Sequence, residues 1–321
     1  MNDKDSWLPL GPDRLKKSDY QVAQEYWEQM HAPQLLGVIA LGDGGLSEVL
    51  YRQYEEVRHL RKIVAFDRGK SVLELGSGNG RWAIALAPLV ADYMGIDFSQ
   101  SMIAAASRRV AELGFDNVTF HKIALQNYTP DQSFDVIYLS GVSQYLNDVD
   151  LKALLDRLQG ALKPNGIVID RSTTGNWTGL KIEKSDYFAI YRTAAEIVGL
   201  YRGSGWSNYY CQPSYRILSF PPIIRRLVAG KKFARLVRLT APFSFYLLRA
   251  WATAIGTRFD PTGSLSEFSH DFFLFRRSSE DGDRGYGNEM DRTNEAPGAT
   301  RHRVNSAACF LPPPPIRPLS H

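Results

Sequence analysis

Residues 72–82 read VLELGSGNGRW, an apolar run with the texture of a buried strand that ends on glycines at 76, 78 and 80. Glycines so placed serve a strand-to-helix turn whose backbone comes close to a ligand. A nucleoside-triphosphate loop needs Lys and then Ser or Thr after its glycines, and Arg81-Trp82 stand there instead. The dinucleotide fingerprint G-x-G-x-x-G needs its third glycine at position 81, whereas Gly80 comes one place early. What remains is E-x-G-x-G-x-G, with Glu74 on the strand, and a second acid, Asp97, closing the next apolar run in GIDFS (95–99). In a doubly wound sheet the ligand lies beyond the carboxyl ends of the strands, so both acids are expected in one crevice, Asp97 accepting from two ribose hydroxyls.

Outward from the glycines, short β-rich runs alternate with helical ones: SVLELGS, RWAIALAPLV, DYMGIDFS, SMIAAASRRVAELG, VTFHKI, FDVIYLSG, DLKALLDRLQGALKP and GIVIDRST. Four of the strand runs are almost continuously apolar, as strands buried on both faces are. The alternation predicts right-handed crossovers and a parallel, doubly wound α/β sheet. Before it, Ser18 to Ala65 carries apolar residues at three- and four-residue spacing, broken by Gly42, Gly44 and Gly45. After it, DYFAIYRTAAEIVGLYRGSGW (186–206) reads as one more helix closing near Gly203, then a strand around Tyr209 to Leu218, and HDFFLFRR (270–277) as a late strand. The expected organisation is an N-terminal helical cover (1–68), a main domain (69–277) with a basic and apolar helical insertion (221–258), and a disordered, Pro-rich tail (278–321).

The ordered set resembles the class I S-adenosylmethionine-dependent methyltransferases. VLELGSGNG is similar to their first motif, GIDFS to their second, FDVIYLSGVSQYL (134–146) to their fourth-strand motif, and LQGALKPNGIVI (158–169) to the following helix, turn and fifth strand. The resemblance spans residues 70 to 175. It implies a mostly parallel, seven-stranded Rossmann-like sheet, S-adenosylmethionine as cofactor, and transfer of its methyl to oxygen or nitrogen of a small or lipid-like acceptor. It also implies cofactor contacts from Glu74, Gly76, Ser77, Gly78 and Gly80, with Gly76 and Gly78 on the methionine portion. Asp97 would hold the ribose, Phe98 the adenine, and Ser140 and Gly141 would border the sulfonium and methyl. Many relatives carry an acid after the third strand that meets the adenine amino group; here the chain reads HKIALQNY (121–128), so Ala124 and Leu125 offer backbone groups and Gln126 a substitute side chain. The alternatives are a dinucleotide-dependent oxidoreductase and a non-catalytic interaction module that keeps the fold.

A sulfonium methyl is already electrophilic, so positioning and exclusion of water carry most of such a reaction, and a base is needed only for a protonated acceptor. Tyr145 and Asp170 are the candidate catalytic residues, with Asp148, His121 and His270 as further possibilities at strand ends and loops. Their structural readings are a pocket wall for Tyr145, a strand-end ion pair for Asp170 and Arg171, a helix start for Asp148 and a strand position for His121. Arg52 in LYRQYEE either reaches a carboxylate such as that of the methionine moiety or lies on a solvated helix face.

The 321 residues, 44% hydrophobic and 22% charged, suffice for a large core. Cys211 and Cys309 have no CxxC or Cys/His companions, so neither a disulfide framework nor a metal site is expected, and a reducing compartment fits. The N-terminus has charges where a signal peptide needs an apolar core, and no run is apolar enough to span a membrane; the expected location is the cytoplasm. The net charge of +4 is concentrated in 221–258, whose eight cations face no acid, leaving the rest of the chain net acidic. Cations mixed with Leu, Phe and Trp favour a cap over an apolar substrate or peripheral membrane contact over nucleic-acid binding, against a plain reading of packed helices with solvated cations.

Overall fold

The computed structural model describes residues 17–29, 45–175, 178, 180–184, 187–215, 230–255 and 268–278. Two helices, α1 (Lys17–Gln29) and α2 (Gly45–Ile63), precede β1 (Ser71–Leu75), α3 (Arg81–Leu86), β2 (Asp92–Asp97), α4 (Gln100–Glu112), β3 (Val118–Lys122) and β4 (Phe134–Ser140). There follow α5 (Asp148–Ala161), β5 (Leu162–Gly175), β6 (Leu180–Lys184), β7 (Tyr187–Tyr191), α6 (Ala194–Arg202), β8 (Trp206–Pro213), α7 (Lys231–Leu239), α8 (Phe243–Ile255) and β9 (Phe268–Arg277). The seven-stranded sheet runs β3-β2-β1-β4-β5-β9-β8 and is parallel from β3 to β5, with β9 antiparallel to both its neighbours. The order reverses between β1 and β4, and a crevice opens beyond the carboxyl ends of strands at such a point.

Apolar residues of the central strands alternate between two cores. Leu73, Leu75, Ile137, Leu139, Val168 and Phe273 face α5 and α6, where Leu151, Leu154, Leu155 and Leu158 form one fully buried stripe. Each such leucine stabilises the fold by about 1.5–3 kcal/mol, an upper bound because unfolded chains already bury some apolar surface. Val72, Val136, Tyr138, Ile169 and Phe272 face the other way, against Val57 and Leu60 of α2 and Trp82 and Leu86 of α3. A smaller cluster joins Tyr51 of α2 to Val237 of α7 and to Phe245, Leu248 and Ala252 of α8.

Helix starts carry side-chain caps that answer the orphan N–H groups of a first turn. Ser99 caps α4 by accepting from the Met102 N–H at 3.3 Å, and Asn147 caps α5 by accepting from the Asp150 N–H at 2.7 Å. The expected helix start at Asp148 thus falls one residue late: Asp148 opens the helix proper and pairs with Arg192 at 2.7 Å. The single helix expected from 186 onward is corrected. Tyr187–Tyr191 is a strand paired with β6, and α6 begins only after Thr193, whose capping box with Glu196 fixes the boundary. The strand expected at 209–218 starts earlier, at Trp206, and ends at Pro213, while residues 216–218 lie outside the described residues. The expected tail beyond Ser278, and residues 221–229 and 256–258 of the basic segment, also lie outside them.

Candidate active site

The crevice at the switch point is a cavity walled by the first glycine turn, the ends of β2, β4 and β5, the turn 143–145, and helices α1 and α2. Gly76, Gly78 and Gly80 all have positive φ, at 77°, 49° and 82°. At Gly76 a Cβ would meet Val142 Cγ1 at 1.9 Å, so only glycine lets the first turn lie against the β4 loop. At Gly78 the same position is open space. The turn is tied to β2 by the Gly76 and Ser77 N–H groups, which donate to the Ile96 carbonyl at 2.8 and 2.9 Å.

Asp97 closes β2 on this cavity. One carboxylate oxygen accepts from the Gly78 N–H at 2.8 Å and the other from the Ser99 N–H at 2.9 Å, which fixes the carboxylate relative to the glycine turn. Burial pushes its pKa up to about 6, the backbone donors opposing that rise. Each oxygen keeps a second lone pair for a ligand hydroxyl. Beside it, the Ser77 hydroxyl, the Asn79 amide nitrogen and the Trp82 indole N–H are buried without a hydrogen-bond partner, and all three residues line the cavity. Buried polar atoms are normally satisfied, so this cluster fits a ligand with polar groups of its own.

Of the residues singled out from the sequence, Gly76, Ser77, Gly78, Asp97, Phe98, Leu125, Gln126, Ser140, Gly141, Tyr145 and Arg52 meet on this one cavity. Tyr145 stands edge-on to Trp27 of α1, ring centroids 5.8 Å apart, and forms wall together with it. Four expected contacts are corrected. Glu74 is fully buried beneath the turn, accepts from the Tyr93 hydroxyl at 2.6 Å, and has its pKa pushed up to about 7 by burial. Gly80 opens α3 at a point where a Cβ would lie 3.0 Å from Ala106, so it serves helix packing. Ala124 gives its carbonyl to the Asn127 N–H at 2.9 Å in a tight turn beside the cavity.

Asp170 faces away altogether. Side chains alternate along a strand, so Ile169, Arg171 and Thr173 look toward α2 while Val168, Asp170 and Ser172 look toward α5 and α6. Asp170 accepts there from the hydroxyls of Ser143 (3.0 Å), Ser172 (2.6 Å) and Tyr201 (2.9 Å), and burial raises its pKa. His121 is exposed on the edge strand β3, and His270 is buried against Thr173 Oγ1 at 2.9 Å rather than on the cavity.

Sequence reasoning named Arg52 but missed the rest of the cavity's charged wall. Glu56 of α2, fully buried, accepts from Arg52 Nε (3.2 Å), Arg81 Nη1 (2.9 Å), Arg171 Nε and Nη2 (3.0 and 2.8 Å) and Ser214 Oγ (3.1 Å). Burial favours the neutral acid, but Arg52 and Arg81 outweigh it and hold the Glu56 pKa below the usual carboxylate range. Arg52, Arg81 and Arg171 all line the cavity. A usable signal was present: Val49, Arg52, Glu56 and Leu60 recur at helical spacing, placing two opposite charges on the buried face of α2.

A model of the methyltransferase domain family matches residues 72–166, the stretch that builds the glycine turn, β2, β4 and the start of β5. This match and the curated methyltransferase relatives support a class I S-adenosylmethionine-dependent methyltransferase. This methyltransferase is 29% identical over 158 residues to N-terminal Xaa-Pro-Lys N-methyltransferase 1 of Homo sapiens, which covers 48% of this chain and 70% of that protein. It is 28% identical over 197 residues to a ubiquinone biosynthesis O-methyltransferase of Bradyrhizobium diazoefficiens, covering 60% and 72%. In fold it is similar to phosphoethanolamine N-methyltransferase 1 of Haemonchus contortus, solved with phosphoethanolamine and S-adenosylhomocysteine. That likeness has a TM-score of 0.55 at 13% identity and covers 85% of this methyltransferase but about half (52%) of the other chain. These findings give no support to the dinucleotide oxidoreductase.

Proposed function

We propose that this methyltransferase moves a methyl group in line to oxygen or nitrogen of a small or lipid-like acceptor held in the switch-point cavity. The observation that carries the reading is the joining of Asp97 to the glycine turn by the 2.8 Å bond from the Gly78 N–H, on a wall shared with Ser140 and Gly141. S-adenosylmethionine, when bound, supplies an electrophilic methyl on its sulfonium. Asp97 accepts from the ribose hydroxyls, Phe98 packs on the adenine, and Leu125 and Gln126 border the adenine edge. Ser77, Asn79 and the glycine turn receive the methionine portion, with Arg52 and Arg81 at the end where its carboxylate lies. Ser140 and Gly141 border the transferred methyl. Tyr145 and Trp27 exclude water, and Tyr145, in its phenolate form, takes the proton where the acceptor arrives protonated.

The lipid-like reading rests on α7 and α8. Leu236, Leu239, Phe243, Tyr246 and Leu247 are exposed there beside Lys231, Lys232, Arg235 and Arg238. Apolar residues interleaved with cations suit the headgroup boundary of an anionic membrane, so peripheral contact through this segment is part of the proposal. No described helix is long and apolar enough to cross a membrane.

Calorimetry with S-adenosylhomocysteine and with NAD tests the cofactor assignment. Saturable binding of the first alone, strongly weakened in Asp97→Ala, is expected; NAD binding in its place refutes the reading. Turnover against a metabolite panel separates the enzyme from a non-catalytic module, and flotation with phosphatidylserine vesicles, lost in a Leu236→Ser/Leu239→Ser variant, tests the membrane contact.

A further inference from the structure

Three arginines on one wall share one carboxylate. The side chains of Arg52, Arg81 and Arg171 are 4%, 11% and 7% exposed, and Glu56 between them is 0% exposed. The other acid on the cavity, Asp97, already holds the Gly78 and Ser99 N–H groups at the ribose end. His270 behind the wall adds no charge, because burial together with Arg52 and Arg81 keeps it neutral. One carboxylate is thus shared among three cations in a place largely withdrawn from water, where charge is costly unless it is paired and hydrogen-bonded. On the cofactor reading above, on which this inference rests, the methionine carboxylate meets Arg52 and Arg81, which leaves Arg171 to the rest of the cavity.

The position of Arg171 says what it faces. Its Nε and Nη2 are committed to Glu56, which turns Nη1 toward Gly141: a Cβ built on that glycine would sit 3.5 Å from it. Gly141, with φ of 76°, leaves this space open at the end of β4. Gln144 lines the same wall and orients toward β5 by accepting from the Thr173 N–H at 3.4 Å. A guanidinium next to an amide is a donor set for a planar or tetrahedral oxyanion. We infer that this arginine wall, with Arg171 at its methyl-facing end, is a subsite for an oxyanion carried by the methyl acceptor, either a carboxylate or a phosphate.

The test titrates inorganic phosphate and benzoate separately into protein saturated with S-adenosylhomocysteine, at an ionic strength fixed by chloride. One-to-one binding of at least one anion is expected, at least tenfold weaker in Arg171→Gln and partly restored in Arg171→Lys. S-adenosylhomocysteine affinity should stay within about threefold in both variants, since Glu56 keeps Arg52 and Arg81; that affinity also reports an intact fold. Whichever anion binds identifies the group. The inference is overturned if neither anion binds saturably, if Arg171→Gln binds them as the wild type does, or if Arg171→Gln loses S-adenosylhomocysteine, which would put Arg171 in the cofactor's own subsite. Failure of S-adenosylhomocysteine to bind the wild type would overturn the cofactor reading instead, and the same anion titration of the bare protein would still probe the arginine wall.

Discussion

Replacing Glu56 by glutamine removes the one negative charge among three buried cations without changing the shape of the side chain. Removing one partner from a buried ion pair costs about 3–5 kcal/mol, because the remaining charge is left unmatched. Glutamine keeps an oxygen able to accept from one arginine and from Ser214, so the lower end, about 3 kcal/mol, applies. In a domain of this size each kcal/mol moves the melting temperature by about 2–4 °C, which puts Glu56→Gln roughly 6–12 °C below the wild type by circular dichroism at low salt. Two further readouts separate charge from shape. Phosphate should recover more of the loss than chloride at equal ionic strength, and Glu56→Gln/Arg171→Gln should melt above Glu56→Gln because it discards one of the stranded cations. The pH dependence has a definite sign: Glu56 has a lowered pKa in the folded state, so its contribution is present above the unfolded value of about 4.5 and is lost as pH falls through the lower folded value. The gap between variant and wild type should therefore narrow in acid. A melting temperature within about 2 °C of the wild type at neutral pH would refute the reasoning, since less than 1 kcal/mol is then at stake.

Three other outcomes are expected. Ribose hydroxyls bond far more strongly to Asp97 when it is ionised, so S-adenosylhomocysteine affinity should fall below a pH of about 6, by up to about tenfold per pH unit, while Asp97→Asn binds weakly with a flat profile. A wild-type profile that stays flat down to pH 5 would contradict this. Gly76→Ala imposes a positive φ on a side-chain-bearing residue and a 1.9 Å contact with Val142, so cofactor affinity should collapse, with Val142→Ala restoring only the part due to the contact; calorimetry on the single and double variants measures both. Asp170→Asn should lower stability measured by urea unfolding while leaving S-adenosylhomocysteine affinity within about twofold, and a tenfold loss of affinity would mean that its face of β5 has been misassigned.

The β1-to-β5 frame was legible because its strands are continuous apolar runs and its turns are short and local. Asp97, Phe98, Ser140 and Gly141 were legible for the same reason, each lying within a residue or so of a strand end that the sheet must bring to the switch point. The strand at Tyr187–Tyr191 was misread as helix because its apolar residues run directly into those of α6; the T-x-x-E signature at Thr193 and Glu196 marks where one ends and the other begins. Asp170 and Arg171 show what a sequence hides. They are neighbours, yet strand alternation sends one into the α5 and α6 layer and the other to the cavity, and which goes where depends on sheet packing. The arginine wall is harder still, since Glu56 and Arg171 stand 115 positions apart and nothing local announces that they touch.

Helix α1 contributes Tyr20, Ala23, Gln24, Tyr26 and Trp27 to the cavity and is fastened at each end by polar contacts. At one end Tyr20 donates to Asp150; at the other Glu28 accepts from Ser99 Oγ at 2.9 Å, the Gln100 N–H at 3.1 Å and Ser101 Oγ at 3.2 Å, the opening turn of α4. Polar contacts of this kind exchange with water at a modest net cost each, so they hold α1 less firmly than an apolar seam would. The wall that α1 supplies is therefore among the less firmly held parts of the cavity, and the lids of enzymes are drawn from such parts.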